Sequence, residues 1–217
     1  MVNIYTLTDA HFEDQAIKLK SLYYKYGARR LVVDANGLGI GLVDFLVKPQ
    51  VNPDTSEIIP DFGVFGGTQE DAVLEYKKYR TANTEEDALY LIKANSPINT
   101  EAHTITRTAL SSGKLKFLID EKAARQKLLG TKIGQNMNQD QRAEYLKPFT
   151  LTSILREEML NLREENEGVN IILKQANKGI KKDKFSALEY GLYYIKQEEE
   201  SKKKKKKFNA KEWQFMN

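Results

Sequence analysis

Cysteine is absent from the 217 residues. That excludes a disulfide framework, a cysteine-based zinc finger, an iron–sulfur cluster and a thiol nucleophile together. Histidine is almost absent too: His11 and His103 are the two in the chain, and neither has an acid or serine at a spacing that suggests a catalytic pair. Both are expected on the surface or on a helix face. No apolar run approaches the roughly 20 residues needed to span a bilayer, and the opening Met1-Val-Asn-Ile lacks the layout of a secretory signal. The expected compartment is cytoplasmic, with no membrane partner. No glycine precedes Lys-Ser or Lys-Thr, so a phosphate-binding P-loop is missing, and no internal repeat is visible.

What is present is a globular composition. Hydrophobic residues make up 41% and charged residues 29%, enough for one core with a well-solvated surface. The formal charge of +4 is unevenly spread. From Lys178 onward, 12 lysines face 6 acids, whereas the rest of the chain is slightly acidic. The basic character therefore belongs to the C-terminal stretch, chiefly Lys202 to Lys207, expected to be a lysine-rich flexible tail over residues 201–217 with transient phosphate contacts as its functional option.

Periodicity predicts alternating strands and helices, an α/β layered fold. Val2 to Leu7 reads as a strand. Phe12, Ala16, Leu19, Tyr23 and Tyr26 step by four and three along one helix face, and Leu31-Val32-Val33 reads as a strand buried on both faces. A helix is expected over Leu42 to Lys48, a loop-rich region over 50–83 around Phe62 to Phe65, and a strand over Ala88 to Ile92. Ser96-Pro97 opens a helix that Gly113 ends. Leu115 to Ile119 is expected as a strand, Asp120 to Leu129 and Thr150 to Glu165 as helices, Val169 to Leu173 as a strand, and Lys184 to about Glu199 as the last helix.

Two acids stand at junctions where reactive groups collect. Asp34 ends a strand and enters Asn36-Gly37-Leu38-Gly39-Ile40-Gly41, a glycine-rich turn whose third glycine is one position early for a dinucleotide fingerprint. The plain alternative is that Asp34 caps the turn or the helix after it. Asp183 precedes the last helix, where it would serve as an N-cap worth about 1 kcal/mol. Ser186 with Glu189 offers a competing capping box, which would release Asp183 for another task. Asp44 is a weaker carboxylate candidate.

The stretches Leu31-Val-Val-Asp34-Ala-Asn-Gly-Leu-Gly-Ile-Gly-Leu-Val-Asp44 and Lys182-Asp183-Lys-Phe-Ser-Ala-Leu-Glu-Tyr-Gly-Leu resemble the nuclease domain of tailed-phage and prophage terminase large subunits. Ile98 to His103, Ser112 to Asp120 and Thr152 to Leu162 resemble that domain's intervening helix, strand and long helix, in order. The resemblance covers about residues 1–197 and implies a nuclease domain over 1–200. Its fold would be a ribonuclease H-like mixed sheet flanked by helices and lacking its first two strands. It also implies hydrolysis of double-stranded DNA with two Mg²⁺ or Mn²⁺ ions about 4 Å apart, one activating water and one stabilising the leaving 3′ oxygen.

Asp34 matches the family's second acid and Asp183 its third, both as metal ligands. Lys181, Lys182 and Lys184 are expected at the DNA. The strand carrying the first acid and the preceding ATPase have no counterpart, so open strand edges are expected on Leu31 to Val33 and Val2 to Leu7. The implied partners are double-stranded DNA, the upstream ATPase portion, the portal protein and the small terminase subunit, in the host cytoplasm. A non-catalytic DNA- or portal-docking fragment and a junction resolvase are the alternatives.

Overall fold

The computed structural model describes residues 3–7, 11–82, 84 and 86–214, with the side chains of all of these except 86 and 205–214. In chain order the elements are α1 (Phe12–Lys25), β1 (Leu31–Asp34), α2 (Leu38–Leu46), β2 (Gln50–Val51), β3 (Ile58–Ile59), β4 (Phe62–Gly67), α3 (Glu70–Lys77) and β5 (Glu86–Ile92). They continue as α4 (Ser96–Ser111), α5 (Glu121–Leu129), α6 (Lys132–Asn136), α7 (Gln139–Leu160), β6 (Leu162–Glu167), β7 (Asn170–Gln175) and α8 (Asp183–Gln214). The chain divides into two compact units, Leu7–Ile98 with Tyr190–Asn217 and Met1–Thr6 with Asn99–Glu189.

The first of these units holds a three-stranded parallel sheet in the order β1-β5-β4, flanked by helices. β5 is its middle strand, and Ala88, Leu89, Leu91 and Ile92 are each at most 1% exposed. Such a run, apolar on both faces, is what a strand covered above and below requires. Ala16 and Tyr23 from α1, Val43 and Leu46 from α2, Phe62 and Val64 from β4, and Val73 and Tyr76 from α3 complete the core with Val33 of β1. Each of the valine, leucine, isoleucine and phenylalanine side chains contributes roughly 1.5–3 kcal/mol on full burial. The antiparallel pair β2 and β3 forms a separate ribbon, so the mixed sheet expected from sequence is here a parallel sheet with antiparallel pairs outside it.

The second unit is helical around one hairpin. α5 packs on α7 through Ala124, Leu128 and Leu146, and β6 pairs with β7 from Leu162↔Gln175 to Glu167↔Asn170. Asp120 caps α5 by accepting the Ala123 N–H at 2.9 Å, and Asn138 with Gln141 forms a capping box at the start of α7.

Five expectations need correction. Residues 3–7 form no strand, and Val2 lies outside the described residues. Residues 115–119 are not a strand: the Leu118 carbonyl accepts from Arg156 at 2.8 Å and the Arg156 guanidinium lies 5.8 Å from the Phe117 ring centre, so α7 takes the contacts a ladder would have supplied. The long helix runs over Gln139–Leu160 rather than 150–165, because residues 162–167 turn away into β6. The region 50–83 contains β2, β3, β4 and α3 rather than mainly loop. Lys202 to Lys207 fall within α8.

Candidate functional site

Asp34 closes β1 opposite Ile92 of β5, and because β1, β5 and β4 are parallel it stands at the edge where all three strands end. That edge is where open α/β sheets place their ligands. The Ala35 N–H is spent on the Ile92 carbonyl at 2.8 Å. The next N–H, of Asn36, donates to Asp34 Oδ1 at 3.0 Å, so the turn-capping role is real and uses one carboxylate oxygen. The residue is exposed, and its second oxygen has no hydrogen-bond partner among the described residues.

The glycines behind Asp34 are needed for the geometry. Gly37, at the N-cap of α2, has φ +52°, a conformation side chains rarely adopt. A Cβ on Gly39 would lie 1.7 Å from the Asp34 carbonyl oxygen. These two positions let α2 begin four residues earlier than the apolar pattern suggests, hard against the end of β1. The other polar groups of this edge serve turns: Thr68 Oγ1 accepts the Lys93 N–H at 2.9 Å, and Asn95 Oδ1 accepts the Ile98 N–H at 3.0 Å.

Asp183 is the first residue of α8 and is exposed. The Ser186 N–H donates to the Lys182 carbonyl at 2.9 Å, which puts the cap at Lys182. Lys182 has no side-chain acceptor. The free Phe185 N–H is instead taken by Glu158 of α7, whose Oε2 accepts it at 3.0 Å while Oε1 meets Lys184 Nζ at 3.0 Å. Asp183 is therefore not the cap expected of it, and its carboxylate has no hydrogen-bond partner among the described residues. The Ser186–Glu189 capping box is not formed either. Glu189 is buried, with Oε2 2.5 Å from His103 Nδ1.

Of the three lysines expected at DNA, Lys184 has its ammonium on buried Glu158. Lys181 and Lys182 have no ion-pair partner among the described residues. Asp44 accepts the Tyr76 hydroxyl at 2.7 Å. Burial first, and then that carboxylate, push the Tyr76 hydroxyl well above its ordinary pKa. His11 is exposed at the start of α1, as expected. His103 sits on a face of α4, also as expected, but that face meets Glu189: the His103 side chain is 10% exposed and that of Glu189 4%. Sequence reasoning missed both Glu158 and the His103–Glu189 pair because their partners are 27 and 86 residues away.

Asp34 belongs to one compact unit and Asp183 to the other. Among the described residues no group of three or more histidines, cysteines or acids is placed to hold a metal ion. Both carboxylates are nonetheless hard oxygen donors of the kind Mg²⁺ takes one or two at a time, keeping several waters. No helix among the described residues is long and apolar enough to cross a membrane. Compared with family models, curated proteins and solved structures, the chain matches none.

Proposed function

We propose that this chain is the nuclease part of a viral genome-packaging terminase large subunit, a metal-dependent endonuclease acting on double-stranded DNA in a ribonuclease H-like variant of its α/β fold. One observation supports this reading most. The two acids that the resemblance assigns to Mg²⁺ or Mn²⁺ are both exposed at helix-opening junctions, each with carboxylate oxygen not consumed by a turn or cap.

A divalent pair would supply activation of the attacking water and stabilisation of the leaving oxygen. The chain's own residues supply fixed oxygens. The Asn36 N–H on Oδ1 restricts the Asp34 carboxylate, and the clamp of Glu158 on Lys184 and Phe185 holds the backbone that carries Asp183. Lys181 and Lys182 provide charge for phosphate. β1 has β5 on one side only among the described residues, and its other edge is where the resemblance expects the strand bearing the first acid. On this reading the upstream ATPase portion, the portal protein and the small terminase subunit are partners.

Nicking of supercoiled plasmid in Mg²⁺ or Mn²⁺ tests the proposal. The expected result is metal-dependent cutting, abolished by EDTA, reduced roughly a hundredfold by Asp34→Ala and by Asp183→Ala, and brought to full activity only by an upstream fragment that carries the first acid. Cutting that neither substitution changes would remove both residues from the site. The rival is a non-catalytic DNA- or portal-docking fragment. That rival predicts DNA binding with no cutting in either metal. Preference for a four-way junction over linear duplex would instead indicate a resolvase.

A further inference from the structure

Asp61 immediately precedes β4 and Thr84 lies just before β5, so both stand where these parallel strands begin, at the sheet edge opposite Asp34. A cleft of about 850 Å³ opens there, within the size range of small-molecule sites. Val47, Pro49, Ile58, Pro60 and Tyr79 make its walls largely apolar, and Ile58 and Tyr79 leave much of their surface in water, at 74% and 48% exposure. Asp61 lines the same cleft yet is only 6% exposed. Its Oδ2 accepts the Thr84 hydroxyl, and its Oδ1 has no hydrogen-bond partner among the described residues.

A buried carboxylate oxygen left without a donor is costly. Lys20 attracts Asp61 through space, but its ammonium donates elsewhere, to the Lys48 carbonyl at 2.6 Å and the Pro60 carbonyl at 2.8 Å. Those carbonyls immediately precede Pro49 and Asp61, so the ammonium ties two walls together and the cleft is formed before a ligand arrives. A carboxylate can only accept, so the ligand must bring a donor, and a charged donor makes the stronger bond. One free oxygen suits a single ammonium, whereas a guanidinium fork is best met by two. Mg²⁺ would keep several waters that walls of valine, isoleucine and proline cannot hold.

We propose that this cleft binds a small ring-bearing primary amine, its ammonium donating to Asp61 Oδ1 and its apolar ring lying against Pro49, Pro60 and Tyr79. The breadth of the cleft calls for a ring rather than a straight alkyl stem, and the site is independent of any role of Asp34 or Asp183.

The test is calorimetric titration of the full chain at neutral pH with phenethylamine, which is charged there. The comparison compounds are phenethyl alcohol, which keeps the ring and loses the charge, and butylamine, which keeps the charge and loses the ring. The expected result is saturable one-to-one binding of phenethylamine, about tenfold tighter than either comparison compound. Asp61→Asn keeps the side-chain shape and an acceptor for Thr84; it should weaken phenethylamine about tenfold and leave the alcohol unchanged. Ile58→Lys, at an exposed position, replaces apolar wall with a like charge and should weaken phenethylamine roughly threefold. Absence of saturable binding, equal affinity for the alcohol or for butylamine, or unchanged phenethylamine affinity in a folded Asp61→Asn protein would overturn the proposal. If Asp61→Asn does not fold, the two comparison compounds and Ile58→Lys decide the matter, and unchanged affinity in Ile58→Lys would overturn it.

Discussion

Lys20 lies in the core at 0% exposure, donating to the Lys48 carbonyl at 2.6 Å and the Pro60 carbonyl at 2.8 Å. Loss of water around the ammonium lowers its pKa from 10.5 to about 8, with the Asp61 carboxylate pulling the other way. Because the folded state releases this proton before the unfolded state does, the unfolded chain binds more protons between these two values, and stability must rise with pH across that window. The shift corresponds to roughly 3 kcal/mol at full development. Chemical denaturation from pH 8 to 10.5 should show this rise, and Lys20→Met should flatten it relative to the unsubstituted protein. Equal slopes would mean that the ammonium is better solvated than its surroundings indicate. His103 and Glu189 pose the matching question for a buried carboxylate. His103→Ala leaves Glu189 without its partner and is expected to cost about 3 kcal/mol, read as a shifted denaturant midpoint.

The junction of β1 with α2 shows an element whose start is dictated by backbone rather than by pattern. Gly39→Ala would force the new methyl against the Asp34 carbonyl oxygen, and the resulting shift is expected to cost about 1–3 kcal/mol and to disturb the turn that holds Asp34. Unchanged stability would show that the junction can relax freely. Elements with strong apolar periodicity, such as α1 and β5, were legible in the sequence because burial alone selects them. β6 was not. Its Arg163-Glu164-Glu165-Asn166-Glu167 has no inward face to detect, and it is held as a hairpin on the adjacent β7, with Lys174 reaching Glu165 at 2.5 Å across the ladder and Arg107, 57 residues away, reaching Glu164 at 2.9 Å. Leu115 to Ile119 failed in the opposite way, having strand composition but no strand to pair with.

At the scale of the whole chain, the candidate acids were legible because each marks a boundary that the sequence announces: a buried strand giving way to glycines, and a basic loop giving way to an amphipathic helix. The groups that support them were not legible, since Glu158 reads as an ordinary helix glutamate until α8 is seen to lack a local cap. The central claim is that Asp34 and Asp183 both serve a divalent cation, and Mn²⁺ titration into the isotopically labelled protein, followed by amide nuclear magnetic resonance, addresses it most directly. The account predicts that substoichiometric Mn²⁺ selectively broadens the amides of residues 34–36 and of residues 183–185. Uniform weak broadening, or broadening that spares either of the two acids, would contradict it.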